Sequence, residues 1–134
     1  MRFPRASGIL LHPTSLPGPH GMGDLGPEAF RFIDKLQEMG QRLWQILPHG
    51  VTGYGDSPYQ SFSTFAGNPL WISFDRLVEE GLLSRRKVDA FPVFPAHTVD
   101  YGEVILARRA LLRGVADSFA RKASAEHKAE LAKF

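Results

Sequence analysis

Apolar residues follow two rhythms along the first fifty positions. Gly8-Ile9-Leu10-Leu11-His12 is a short apolar run closed by Pro13, which predicts a buried strand. After it comes PTSLPGPHGMGDLG, a segment rich in turn residues and read as a loop. Gly26-Pro27-Glu28 then opens a helix, because proline suits the first helical position and an acidic first turn complements the helix dipole. Ala29, Phe32, Ile33 and Leu36 recur at helical spacing on one face, and Gly40 is placed to end the helix. Leu43-Trp44-Gln45-Ile46-Leu47-Pro48 is apolar on both faces except at Gln45, the pattern of a strand covered on both sides. The order strand, helix, strand over about 40 residues predicts one βαβ unit with parallel strands and a right-handed crossover.

Beyond it the pattern predicts a short strand or extended segment at Pro69–Ser73. A short helix follows over Phe74–Glu80, stopped near Gly81, and then irregular chain over 84–101. A strong helix runs over Glu103–Ala120, with Leu111, Leu112, Val115 and Phe119 on its apolar face. Arg108, Arg109 and Arg113 are placed on the solvated face of that helix. Residues 124–134 again read as helix and stop without a cap or exit turn, which predicts a truncated chain. A parallel sheet that begins with one βαβ unit also needs further strands to cover its edges.

Composition narrows the class without naming a function. The 134 residues are 43% hydrophobic and 22% charged, the balance of a folded single domain. A net charge of +2 gives no general attraction to nucleic acid. With no cysteine, disulfides, thiolate nucleophiles and cysteine-ligated metals are excluded. The N-terminus lacks the apolar stretch of a signal peptide, and no run approaches the roughly 18 apolar residues of a membrane span. The expectation is a soluble cytoplasmic protein with no membrane partner.

Chemistry concentrates in Gly53-Tyr54-Gly55-Asp56-Ser57-Pro58-Tyr59-Gln60, which leaves the C-terminal end of the second strand. In α/β folds that end is where ligands bind. The tyrosines offer flat apolar faces with polar tips, which suits the C–H faces and hydroxyl rims of sugars. Asp56, Ser57 and Gln60 supply matching acceptors and donors. Gly53 and Gly55 allow close backbone approach, and Pro58 holds Ser57 extended. A plain turn, with Asp56 bonded to its own backbone, is the other reading; the loop's position favours the ligand site. His12 and Ser15 are three apart with no orienting acid, so His12 is read as structural. Asp24 sits at a helix start and is read as a cap or turn residue. Asp24 and Asp56 are also the acids in glycine-rich loops after strands. As a glycosidase pair they would need carboxyl groups roughly 5 to 10 Å apart, and neither lies in an apolar setting that would raise its pKa. No convincing nucleophile or general acid is present, so no catalytic residue is assigned.

The segments SGILLHPTSLPGPHGMGDLG, GQRLWQILP, TGYGDSPYQSFSTFAGNPLWIS and LVEEGLL closely resemble the start of the 4-alpha-glucanotransferases, also called amylomaltases or disproportionating enzymes, of glycoside hydrolase family 77. The resemblance is dense from about residue 5 to 83 and looser through VDYGEVILARRALL. It implies an α/β fold: the N-terminal part of a (β/α)8 TIM barrel, truncated, with part of an inserted helical subdomain. Residues 1–83 would form the first βα elements and 84–134 the start of the insert. It implies transfer of an α-1,4-glucan segment to the 4-hydroxyl of a glucan or glucose acceptor, by a retaining mechanism with a covalent intermediate and without a cofactor or metal. The partners implied are maltooligosaccharides, amylose and other α-1,4-glucans. By the same resemblance Tyr59 packs on the sugar at the cleavage point, Ser57 contacts a sugar, and Tyr54 and Tyr101 form an accessory glucan surface. Asp56, Gln60 and Asn68 support the motif. The family's catalytic carboxylates lie in later barrel strands, so the chain by itself is expected to be inactive. A non-catalytic glucan-binding module is the alternative.

Overall fold

The computed structural model describes residues 4–57, 59–60, 62–63 and 66–133. Its elements run β1 (Gly8–Leu10), α1 (Pro27–Glu38), β2 (Leu43–Gln45), α2 (Phe74–Glu79), α3 (Arg85–Asp89), α4 (Tyr101–Lys122) and α5 (Ala125–Lys133). Three 3-10 turns lie at Pro13–Ser15, Tyr54–Asp56 and Pro69–Trp71.

The βαβ unit forms as its pattern predicts. β1 and β2 pair in parallel, with Gly8 opposite Leu43, Ile9 opposite Trp44 and Leu10 opposite Gln45. The Leu11 N–H donates to the Gln45 carbonyl at 3.0 Å, and the Trp44 indole N–H donates to the Leu11 carbonyl at 2.8 Å. These bonds carry the pairing past the end of β1. Helix α1 starts at Pro27 behind Gly26 and buries Ala29 and Leu36. Phe32 meets the Trp44 ring edge-on at 5.1 Å, which docks α1 against β2.

Helix α1 ends in a Schellman motif, with the Gly40 N–H bonding the Gln37 carbonyl and the Gln41 N–H bonding the Leu36 carbonyl. Gly81 ends α2 in the same way, on the carbonyls of Val78 and Leu77. Both glycines are left-handed, at φ 71°.

Four expectations are corrected. The strands are not buried: Leu10 is 55% and Leu43 58% exposed. Two paired strands and one helix leave apolar faces without the second layer that burial requires. Pro69–Trp71 is a 3-10 turn and not a strand, because the Asn68 side chain caps it by accepting from the Leu70 N–H at 3.0 Å. Residues 85–89, read as irregular, are helical, and the short α3 buries Val88 against Phe74, Leu83 and Val115. Arg108 is not on a solvated face: it is fully buried, while Arg109 and Arg113 are exposed.

Among the described residues, two apolar clusters hold the fold. Met22, Leu70, Trp71 and Val104 form one, flanked by Phe94, Val99 and Ile105. Phe74, Leu83, Val88 and Val115 form the other, flanked by Phe91, Leu111 and Leu112 among others. Helix α4 contributes to both through Val104 and Val115, and Arg108 lies between these on the same stripe. Its guanidinium donates to the Ile72 carbonyl at 2.8 Å, the Asp24 carboxylate at 3.2 Å and the His20 carbonyl at 3.3 Å. It also lies over the Phe74 ring at 4.4 Å. One side chain thus ties α4 to the Pro13–Gly26 loop and to the chain entering α2. No helix among the described residues is long and apolar enough to cross a membrane.

Candidate functional site

The Gly53–Gln60 loop does not leave β2 directly, as expected, because the strand ends at Gln45; the loop begins eight residues later and folds back on itself. The Gly53 N–H donates to the Gln60 carbonyl at 2.9 Å, and the Gln60 N–H donates to the Ser57 carbonyl at 3.0 Å. At the tip, Gly55 (φ 72°) and Asp56 (φ 53°) are both left-handed. Asp56 is the non-glycine residue with positive φ among those described, and aspartate tolerates that conformation better than most side chains. Ser57 is extended (φ −71°, ψ 123°), as a residue before proline should be. Pro58 itself lies outside the described residues. Tyr59 projects from the loop at 75% exposure, and Gln60 is exposed beside it. The backbone of Tyr54 sits in the 3-10 turn; its side chain, one of the expected glucan contacts, lies outside the described residues.

Behind the loop is a cavity of about 130 Å3 lined by His12, Thr14, Thr52, Asp56, Asn68 and Tyr101 among others. It brings together three of the expected site residues, Asp56, Asn68 and Tyr101. Asn68 is the hinge of the arrangement. Its carboxamide oxygen caps the Pro69–Trp71 turn, and its NH2 reaches the Gly50 carbonyl at 3.4 Å, holding the chain entering the loop against the chain leaving it.

Tyr101 enters from the first turn of α4, fixed there by Asp100, whose carboxylate caps the helix by accepting from the Glu103 N–H at 3.2 Å. The Tyr101 hydroxyl lies 3.3 Å from Thr14 Oγ1, which lies 2.7 Å from His12 Nδ1. Burial lowers the pKa of His12. Its ring also meets Trp71 edge-on at 5.3 Å, and His49 meets the same indole at 5.8 Å. His12 therefore serves Thr14 and the aromatic core, and its Nδ1 partner is Thr14 and not Ser15. Thr14 had no signal of its own in the sequence, since its partner is 87 residues away.

Asp24 does not line this cavity. Its environment also corrects the expectation that nothing raises its pKa: burial pushes the carboxyl up, against the opposing charge and hydrogen bond of Arg108. It is committed to the Arg108 anchor, which leaves Asp56 as the acid at the cavity.

A sequence model described as 4-alpha-glucanotransferase matches residues 11–134. The chain is 52% identical over 134 residues to the 4-alpha-glucanotransferase of Thermus thermophilus, covering all of this chain and 26% of that protein. It is 52% identical over 109 residues to the 4-alpha-glucanotransferase of Synechocystis sp., covering 81% of this chain and 22% of that one. Its fold superposes on the amylomaltase from Streptococcus agalactiae in complex with acarbose, with TM-score 0.83 and 43% identity, over 93% of this chain and 26% of that chain. The chain thus spans about a quarter of the length of such relatives. The match over residues 11–134, with identities near half, shows that the chain belongs to the 4-alpha-glucanotransferases of glycoside hydrolase family 77.

Proposed function

We propose that this chain is the N-terminal part of a 4-alpha-glucanotransferase and supplies sugar-holding residues to a reaction whose catalytic carboxylates lie beyond residue 134. In this reading β1, α1 and β2 are the first elements of a (β/α)8 barrel, and residues 84–134 begin a helical insert. Support for it is the meeting of Asp56, Asn68 and Tyr101 around one small cavity, with Asp56 on the loop that also carries the exposed Tyr59. The amylomaltase it resembles is in complex with acarbose.

The reaction class follows. In a first step a carboxylate attacks the anomeric carbon of an α-1,4-glucan, a glycosyl–enzyme ester forms, and the departing 4-oxygen takes a proton from an acid. In a second step the 4-hydroxyl of a glucan or glucose attacks that ester and returns the proton. The residues of this chain hold and orient sugar for both steps. Tyr59 offers an aromatic face to a pyranose ring, Ser57 and Gln60 offer hydroxyl and amide groups to its rim, and Tyr54 and Tyr101 contact glucan outside the cleavage point. Holding the acceptor in place favours transfer to sugar over transfer to water.

The test is Tyr59→Ala in the full-length enzyme bearing these residues, with chain-length redistribution from maltotriose as the readout. The expected outcome is at least about a tenfold loss of kcat/KM, equivalent to about 1.4 kcal/mol of transition-state stabilisation, with an unchanged circular dichroism spectrum. Unchanged kinetics would remove Tyr59 from the site. Turnover by residues 1–134 alone would overturn the placement of the carboxylates.

A further inference from the structure

The His12–Thr14–Tyr101 chain links a histidine that can change charge to the hydroxyl of a tyrosine that lines the cavity. A hydroxyl carries one proton, so each member of such a chain dictates the role of the next. Where the neutral His12 ring accepts at Nδ1, Thr14 must donate to it. The Thr14 oxygen then accepts the Tyr101 proton, and Tyr101 turns a lone pair toward the cavity. Where His12 is protonated, Nδ1 donates, Thr14 passes its own proton to the Tyr101 oxygen, and the Tyr101 O–H is released toward the cavity. The same two contacts, 2.7 Å and 3.3 Å, serve both arrangements.

We infer that Thr14 is a positioning residue that transmits the protonation state of His12 to Tyr101, setting whether Tyr101 offers a lone pair or a proton to a sugar hydroxyl. This rests on the glucan-binding reading above and adds a regulator to it. The cavity is small, at about 130 Å3; Thr52, Asp56 and Asn68 bring polar groups to the lining it shares with Tyr101, and Met22, Leu70 and Ile105 supply an apolar wall. The groups that titrate or carry charge around His12 are few. Asp56, on the loop after β2, and Tyr101, on α4, line the same cavity. His49 reaches the Trp71 indole that His12 also touches. Burial, with no neighbouring charge contributing, lowers the His12 pKa, so the neutral ring is the form present near neutrality.

The experiment is calorimetric titration with maltoheptaose between pH 7.5 and 5 of the full-length enzyme made unable to turn over by substitution of its downstream nucleophilic carboxylate, with that background taken as the wild type. The wild type is expected to change affinity by about two- to tenfold through a transition below pH 6.5, the range set by one hydrogen bond. Thr14→Val and Tyr101→Phe are expected to flatten that transition, Thr14→Ser to retain it, and Asp56→Asn to leave its position unchanged. Tyr101→Phe deletes the last member without touching Thr14, so the test survives if Thr14→Val does not fold. A flat wild-type curve with intact binding overturns the inference alone, as does a transition that persists in Thr14→Val. Nitrogen-15 spectra of neutral His12 are expected to show Nδ1 unprotonated, and a protonated Nδ1 at pH 7.5 also overturns the inference. Absence of maltoheptaose binding at every pH would overturn the glucan reading with it.

Discussion

Arg108 and Asp24 form a buried ion pair whose cost and benefit can be weighed directly. Removing charges from water is expensive, and here both desolvations are visible: burial lowers the pKa of Arg108 and raises that of Asp24. Two backbone carbonyls and the Phe74 ring add to the partners of the guanidinium, while its Nε is buried without a hydrogen bond. Arg108→Ala would remove the guanidinium from both carbonyls and leave the buried Asp24 carboxylate with the Gly26 N–H but no opposing charge, and is expected to destabilise the chain by about 3–5 kcal/mol in urea unfolding. Arg108→Lys should recover little, since one ammonium cannot span three acceptors held in the guanidinium's fork. A loss under about 1 kcal/mol for Arg108→Ala would show the pair to be peripheral. The position of Arg108 was legible in principle: it stands four residues after Val104 and seven before Val115, inside the buried stripe. Residue type outweighed spacing in the sequence reading, because arginine is seldom buried without partners, and its partners lie 36 to 88 residues away.

Among the elements, one kind of substitution should act with opposite signs. Gly81 terminates α2 at φ 71° with open space where a Cβ would go, so Gly81→Ala meets no clash but must adopt a left-handed backbone. Its expected loss is about 1–2 kcal/mol. Gly114 lies inside α4, also with open space around a Cβ, and Gly114→Ala is expected to stabilise by about 0.5–1 kcal/mol. Thermal unfolding of the two variants checks both, and a shared sign would contradict the account. These helix ends were readable in the sequence because Pro27, Gly40 and Gly81 act on their immediate neighbours. The Pro69–Trp71 turn was not, since its conformation rests on a side-chain cap from Asn68 that competes with an extended alternative of similar composition. Helix α3 escaped for a related reason: five residues give too short a period to detect, and Val88 gains its packing from α2 and α4. The loop after β2 was legible as a loop from its glycines and proline, and its role as a site is proposed. Its cavity was not legible, because Thr14, Asn68 and Tyr101 meet only in three dimensions.

Across the whole molecule, one buried and one half-buried histidine shape how stability answers to pH. His12 and His20 are both lowered from 6.5 by burial, His20 between the rings of Phe74 and Phe91. The unfolded chain therefore binds protons at these positions more readily than the folded one, and stability falls as pH drops below about 6.5. Asp24 has the opposite sign. Its raised pKa makes the folded chain the better proton binder, so its contribution is present at low pH and is lost as pH rises past its unfolded value toward its raised folded one. The melting temperature is expected to decline between pH 7.5 and 5, and His20→Phe to flatten part of that decline. A melting temperature that rises over the same interval would show the histidines to be exposed in solution.

The Arg108 anchor has a last consequence, for the order in which the protein is built. Asp24 and the side chain that neutralises it are separated by 84 residues. On a ribosome adding roughly 5–20 residues per second, the Pro13–Gly26 loop would wait about 4–17 s for its anchor. β1, α1 and β2 can pair before then, because their contacts are internal to the first part of the chain. The loop and the cavity behind it should set only when α4 has been made, so a late helix fixes an early loop.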